Sequence, residues 1–497
     1  MLADILRYWA RWQPDMVAVT FEGTHTTWAE LDRRTDSLAA GLAARGVLHG
    51  DRVGLLSTNR PEFIDTVIAC WKLGALAVPM NVRYTAPEVA YVVADAGCRL
   101  VIGESALPAG LADLGADRPV ILAEDLAEHY LEASFHPRPI AASDGATICY
   151  TSGTTGDPKG AVATHAAWNA SGQAWAQSVG FGQTDCLLLP FPLAFTGGFA
   201  VWIMTYWSGA RLVLERAFLP DRSIELLADE RVTGFLAVPA IFQSLIDHPR
   251  WEEVDLSAWR VACSGGAVVP PSILQAVQQR GIPMLQSYTL TEATAAGCVL
   301  PARDALTKLG SAGLPMIHTE VRIADDGGTE VGPEETGEIQ LRGPNIMVAY
   351  WNKPDATAET LLEGGWLRTG DIGRLDHDGY LFVVDRAKDM LISGGLNVYP
   401  AEIERVLSGL PGLVEVAVIG VPDERWGETP AVIAVTDGEL TGDQILAACS
   451  GRLADYKLPR YLVTRAEPLP RNMSGKVLKR ELRDTYGTLG TEGTPIR

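Results

Sequence analysis

Between residues 144 and 292, short β-rich apolar runs alternate with helical patterns, and no other feature limits the fold of this chain as strongly. The runs are ATICY (146–150), CLLLPF (186–191), ARLVLE (210–215), GFLAVP (234–239), RVACSGG (260–266) and PMLQSYT (283–289). Helix candidates at 220–231 and 270–279 lie between them, each opening on proline, which is tolerated in a first helical turn because its missing N–H has no partner there anyway. A parallel strand needs a long crossover, usually a helix, so this rhythm predicts an α/β domain with parallel strands.

The first 120 residues repeat the rhythm. DRVGLLS (51–57) and ALAVPMN (75–81) read as strands with an apolar helix between them, which predicts a second α/β unit. After Gly310 the pattern changes to short strands with turn signals, VRIADDGG and GEIQLRG, and a small β-rich subdomain is expected. Near Asp385 it changes again. Strands, a glycine-rich loop, the helical AEIERVLSGL, the strands VEVAVIGVP (414–422) and AVIAV (431–435), a helix and the basic PRNMSGKVLKR describe an α+β domain. The expected fold class is therefore α/β. A large N-terminal domain of two α/β units plus a β subdomain spans 1–385, and a smaller mobile α+β domain spans 389–497, with the hinge near Lys388.

Composition narrows the function. A formal net charge of −20 over 497 residues argues against a nucleic-acid partner, so any anionic ligand must be held by a local positive field. The N-terminal MLADILRYWA carries Asp4 and Arg7 and reads as an amphipathic helix, not a signal peptide. No run approaches the ~18 apolar residues of a spanning helix, so the expectation is a cytoplasmic protein without an integral membrane segment. The seven cysteines are scattered singly, a pattern that predicts neither a disulfide framework nor a structural metal.

Strand ATICY runs directly into TSGTTGDPKG. Glycines let backbone N–H groups approach an anion, hydroxyls add donors and Lys159 adds charge, so Thr151, Ser152, Gly153, Thr154, Thr155, Gly156 and Lys159 suit a polyphosphate. The loop matches neither the P-loop nor the dinucleotide pattern. YTSGTTGDPKG resembles instead the phosphate-loop signature of the acyl-adenylate-forming superfamily. The further signatures follow in order: SYTLTE (287–292), WLRTGDIG (366–373), DRAKDMLISGGLNVYPAEIE (385–404) and PRNMSGKVLKR (470–480). Together they cover the chain from about residue 10 to 485.

The resemblance implies ATP and Mg²⁺ as reactant and cofactor, with coenzyme A as co-substrate. By it, Thr151 and Glu292 would hold Mg²⁺, and Thr291 would donate to the α-phosphate. Tyr288, with Ser287 and Thr289 beside it, would lie on the adenine, for which Gly265 and Gly266 leave room. Asp371 would accept from the ribose hydroxyls, with Arg386 near the sugar or phosphate. Lys476 would be the catalytic cation of adenylate formation. Rotation about Lys388 would then replace it with Ser393, Gly394 and Gly395, lining a passage for the pantetheine arm. Trp426 has two readings, a stack for the adenine of coenzyme A or a core residue of the small domain.

The acceptor and the acid are less constrained. ISGGLNVYPAEIE and PDERWGE look most like stand-alone fatty-acyl or aromatic acyl-CoA ligases, and a ligase that loads a carrier protein is the alternative. LLLPFPLAFTGGF (187–199) departs from the family pattern. No histidine lies where many relatives carry an aromatic–His pair, and Leu193 or Phe195 takes its place. Phe195, Trp202, Val238, Ala267 and Thr289 are the candidate pocket residues, and the expected acid is hydrophobic, whether aliphatic, alicyclic or aromatic. A homodimer is compatible with the sequence and not decided by it.

Overall fold

The computed structural model describes residues 1–107, 111–114, 118–131, 139–151, 158–267, 269–386, 389–393, 396–423, 425–471, 477–489 and 495–496. The chain forms two compact units, one of Met1–Val321 with Leu341–Arg368 and one of Arg322–Gln340 with Thr369–Arg497. This division differs from the bounds expected from the sequence.

The first unit is built on two sheets. The nine-stranded sheet runs Leu314–Pro315, Cys298–Leu300, Met284–Tyr288, Val261–Gly265, Gly234–Ala237, Cys186–Leu189, Arg211–Leu214, Val17–Phe21, Thr24–Thr27. Its five middle strands, from Met284–Tyr288 to Arg211–Leu214, are parallel, as the apolar runs predict. The seven-stranded sheet runs Ala349–Tyr350, Lys159–Thr164, Gly145–Thr151, Leu76–Met80, Arg52–Leu56, Leu100–Gly103, Val120–Leu122.

Two expectations need correction. Strand Gly145–Thr151 does not join the parallel strands that follow it in sequence; it sits in the other sheet and pairs antiparallel with Lys159–Thr164. The short connection explains the antiparallel pairing, since antiparallel neighbours can be joined by a few residues whereas parallel ones cannot, and parallel pairing with Leu76–Met80 places the strand in the seven-stranded sheet. Strand Val17–Phe21 likewise leaves the N-terminal unit and pairs parallel with Arg211–Leu214.

One core takes in side chains of both sheets. Helix Pro61–Leu73 is buried at every position from Phe63 onward, and helix Thr196–Ser208 is nearly so, which is why neither shows a polar face. Trp71 of the first stacks on Trp202 of the second at a ring separation of 5.4 Å, with Phe199 edge-on to both. Lys72 is fully buried because its ammonium meets Asp32 Oδ1 and Asp36 Oδ1, each at 2.6 Å.

The second unit holds a five-stranded sheet in which Leu396–Val398, Leu391–Ser393, Gly427–Thr436 and Leu413–Asp423 follow one another and Tyr461–Arg465 lies parallel to Gly427–Thr436. Helices Pro400–Leu407 and Gly442–Cys449 bury Ile403, Leu407, Ile445 and Cys449 against it, giving the α+β arrangement read from the sequence. A four-stranded sheet of Glu320–Ala324, Gly337–Arg342, Leu367–Leu375 and Leu381–Arg386 is the β element expected after Gly310. No described helix is long and apolar enough to cross a membrane.

Candidate active site

Thr151 ends its strand directly opposite Lys159, and Thr151 Oγ1 donates to Lys159 O at 3.4 Å. Ser152, Gly153, Thr154, Thr155 and Gly156, which complete the phosphate loop, lie outside the described residues. The far edge of the hairpin is covered by Ala349–Tyr350, which adds antiparallel with Tyr350 opposite Ala161. That register sets Tyr350 beside two predicted site residues. Lys159 Nζ lies 5.2 Å from the centre of its ring, and its hydroxyl donates to Glu292 Oε1 at 2.7 Å. Burial, and then the Glu292 carboxylate, push the Tyr350 phenol well above its ordinary pKa, so it stays a donor.

Glu292 lies in the short turn Thr291–Ala293, which the next residues hold in an unusual path. Thr294 and Ala295 both take left-handed backbone angles, φ 48° and 53°, a conformation that costs of order 1–3 kcal/mol for a residue with a side chain and persists only where neighbours enforce it. Here Ser171 Oγ donates to Thr294 O at 2.7 Å and Trp175 Nε1 donates to Ala295 O at 2.7 Å. Asn345 Nδ2 donates to Ala293 O and Ala296 O, and Met347 N donates to Glu292 O at 2.8 Å. Thr291 Oγ1 accepts from Thr196 Oγ1 at 3.2 Å. Tyr350, Asn345, Ser171 and Trp175 were not among the residues picked from the sequence; a buried aromatic or amide carries no local signal of what it will hold.

Ser287, Tyr288 and Thr289 are half-buried at the carboxyl end of strand Met284–Tyr288, with Gly265 ending the neighbouring parallel strand. Carboxyl ends of parallel strands are where open α/β sheets bind ligands. Each glycine has a packing reason of its own. A Cβ on Gly265 would overlap Ser287, and Gly266 has φ +78°.

On the acyl side, Leu193 is buried and Phe195 is half-buried, capping helix Thr196–Ser208. Phe195, not Leu193, is thus the partly open side chain of the pair. The preceding loop is fastened by Asn59, whose Nδ2 donates to Phe191 O and Glu215 O at 3.0 Å and whose Oδ1 accepts from Leu193 N at 2.8 Å. Val238 is half-buried and Ala267 exposed, while Trp202 lies deep in the core against Trp71.

The remaining predicted residues belong to the second unit. Asp371 is buried and stands opposite Arg386 in the strand pair, with its backbone N–H donating to Thr369 Oγ1. Asp385, the neighbour of Arg386, accepts from Ala401 N at 2.8 Å and so ties down the start of helix Pro400–Leu407. Ser393 is buried where its strand meets Gly427. Trp426 is half-buried, with the guanidinium groups of Arg425 and Arg460 at 4.6 and 5.5 Å from its ring centre. Lys388, Gly394, Gly395 and Lys476 lie outside the described residues.

The family model of the AMP-binding enzymes matches residues 6–351, and that of the AMP-binding enzyme C-terminal domain matches residues 402–476. The chain belongs to the AMP-binding enzyme family. Among curated members it is 41% identical to a feruloyl-CoA synthase of Amycolatopsis over 484 residues, covering 96% of this chain and 97% of that one. It is 40% identical to a long-chain-fatty-acid–CoA ligase of Mycobacterium tuberculosis, covering 93% of each. Among solved AMP-binding enzymes, o-succinylbenzoate coenzyme A synthetase from Bacillus subtilis, in complex with ATP and magnesium ion, superposes with a TM-score of 0.87 at 32% identity, covering 97% of this chain and 99% of that one.

Proposed function

We propose that this AMP-binding enzyme is an ATP-dependent carboxylic acid–CoA ligase. In the first step a carboxylate oxygen attacks the α-phosphorus of ATP, the bond from that phosphorus to the α,β-bridging oxygen breaks, and pyrophosphate leaves. In the second the thiol of coenzyme A attacks the acyl carbon of the adenylate, the acyl–oxygen bond breaks, and AMP leaves. The observation that carries the reading is the meeting of Lys159, Tyr350 and Glu292, which sets a cation and a carboxylate at the mouth of the phosphate hairpin. A site of this kind neutralises phosphate charge and offers no nucleophile of its own, which is what an in-line attack by an external carboxylate requires.

Glu292 and Thr151 supply a carboxylate and a hydroxyl, a donor set that suits Mg²⁺, which takes oxygen ligands and keeps several waters. Among the described residues no hydrogen bond or ion pair engages Glu292 Oε2. Bound there, the ion would add positive charge against the triphosphate. Thr291 would orient the α-phosphate, Tyr288 would cover the adenine, and Asp371 would hold the ribose. Lys476 would bridge the attacking carboxylate and the phosphate. Movement of 389–497 about Lys388 would then exchange it for Ser393, Gly394 and Gly395 beside the pantetheine arm. Phe195, Val238 and Thr289 would bound an apolar acyl pocket, with Ala267 at its rim, and the acid is a hydrophobic aliphatic, alicyclic or aromatic one. The working location is the cytoplasm, and a homodimer is the assembly to test.

Pyrophosphate release across a panel of hydrophobic acids, with and without coenzyme A, tests the reading. Release that depends on an acid, with a CoA thioester as product, supports it. Release without any thioester product favours the carrier-loading ligase, and no acid-dependent release overturns acid activation.

A further inference from the structure

Tyr350 touches both halves of the phosphate site through different parts of one side chain. Its ring faces Lys159 Nζ at 5.2 Å, and its hydroxyl donates to Glu292 Oε1 at 2.7 Å. Neither contact is an accident of a loose surface side chain. Tyr350 is 8% exposed, its backbone is locked in the sheet opposite Ala161, and its backbone N–H donates to Thr357 Oγ1 at 2.9 Å. The segment just before it fixes the other partner, since Met347 N donates to Glu292 O and Asn345 holds the carbonyls of Ala293 and Ala296.

A carboxylate has two oxygens. When a rigid phenol holds one of them, the plane of the group is set and the other oxygen has a fixed direction. Outer partners of this sort on metal-holding carboxylates and imidazoles are worth roughly 10–100-fold in metal affinity. The ring contributes separately, because a cation over the face of a tyrosine is attracted to its π-cloud, which biases the direction in which a lysine points.

We propose that Tyr350 is a positioning residue for the metal–triphosphate site, its hydroxyl aiming Glu292 Oε2 at the divalent ion and its ring aiming Lys159 at the phosphates. This rests on the reading of Glu292 as a metal-holding residue. The two parts of the side chain then carry separable effects. Tyr350→Phe removes only the hydroxyl and keeps the ring beneath Lys159. Tyr350→Leu removes both.

The test is calorimetric titration of the protein with α,β-methylene-ATP in EDTA, followed by Mn²⁺ titration of the analogue-saturated protein, for the parent, Tyr350→Phe, Tyr350→Leu and Glu292→Gln. The expected result for Tyr350→Phe is Mn²⁺ affinity about tenfold weaker, with metal-free analogue affinity within about twofold of the parent, a value that also certifies a folded site. Tyr350→Leu is expected to lose about threefold or more in metal-free analogue affinity as well, through Lys159. If Glu292→Gln weakens Mn²⁺ binding while Tyr350→Phe leaves it within about twofold, the positioning role is overturned and the role of Glu292 stands. If Glu292→Gln leaves Mn²⁺ binding intact, the metal-holding reading itself falls, and the inference with it.

Discussion

Replacing Asn59 by alanine is the sharpest test of how the acyl side of the site is built. The wild-type side chain is 1% exposed and makes three hydrogen bonds: two donated, to Phe191 O and Glu215 O, and one accepted, from Leu193 N. In Asn59→Ala the Leu193 N–H is left buried without a partner, at a cost of about 1–3 kcal/mol. The two carbonyls each keep a second lone pair and lose about 0.5–1.5 kcal/mol of hydrogen bonding. The expected destabilisation is therefore about 4 kcal/mol, the middle of a range of about 2–6, measurable as a lowered urea midpoint with an unchanged slope. The loop so released leads directly into Phe195, so the Michaelis constant for the acid should rise about tenfold if about 1.4 kcal/mol of the lost order is felt there, while that for ATP stays within about twofold. Kinetics at saturating ATP with varied acid supply the second measurement. An acid Michaelis constant unchanged in a protein that has lost stability would show that the 191–195 loop does not face the acid. An unchanged urea midpoint would refute the hydrogen-bond accounting itself.

Two further outcomes follow from the remaining residues. Lys476→Ala should suppress adenylate formation while leaving thioester formation from supplied acyl-adenylate largely intact; equal loss of both half-reactions, measured separately, would refute a role confined to the first step. His165 is buried, and among the described residues neither ring nitrogen has a hydrogen-bond partner; burial lowers its pKa to about 4. The unfolded chain therefore binds the extra proton between about pH 6.5 and about pH 4. Stability is full above that window and should fall by about 3 kcal/mol as the pH drops through it. His165→Phe should flatten that acid limb in urea titrations at pH 7 and pH 5, and an identical limb in the two proteins would assign the acid loss to other groups.

The parallel strands were legible to within two residues at each end. ARLVLE, GFLAVP, RVACSGG and PMLQSYT became Arg211–Leu214, Gly234–Ala237, Val261–Gly265 and Met284–Tyr288, because a continuous apolar run bounded by turn residues leaves little choice but a strand buried on both faces. Sheet membership was not legible. ATICY carries the same local signal as its followers; the short link to Lys159–Thr164 accounts for its antiparallel neighbour, while its sheet is set by pairing with Leu76–Met80, far back in the sequence. Of the candidate site, Thr151 and Lys159 stand out through the unusual composition of a glycine- and hydroxyl-rich loop, whereas Thr291 and Glu292 enter only through the family resemblance. Tyr350, Asn345 and Asn59 enter through neither. Their partners lie between 49 and 156 positions away, at Glu292, Ala293 and Ala296, and at Phe191, Leu193 and Glu215, and pairings of that range leave no trace in a window of sequence.

The bend after Glu292 has a bearing on the order in which the molecule assembles. Its two left-handed residues are enforced by Ser171 and Trp175, 123 and 120 positions earlier, and by Asn345, about 50 positions later. Nothing local rewards that backbone, and contacts so distant in sequence form only after long loops have closed. The surrounding strands can acquire their hydrogen bonds while the turn still samples ordinary angles. During refolding, therefore, the capacity to bind a nucleotide analogue with its metal should return after the far-ultraviolet signal of the sheets, making ligand affinity the timekeeper of the last few ångströms of folding.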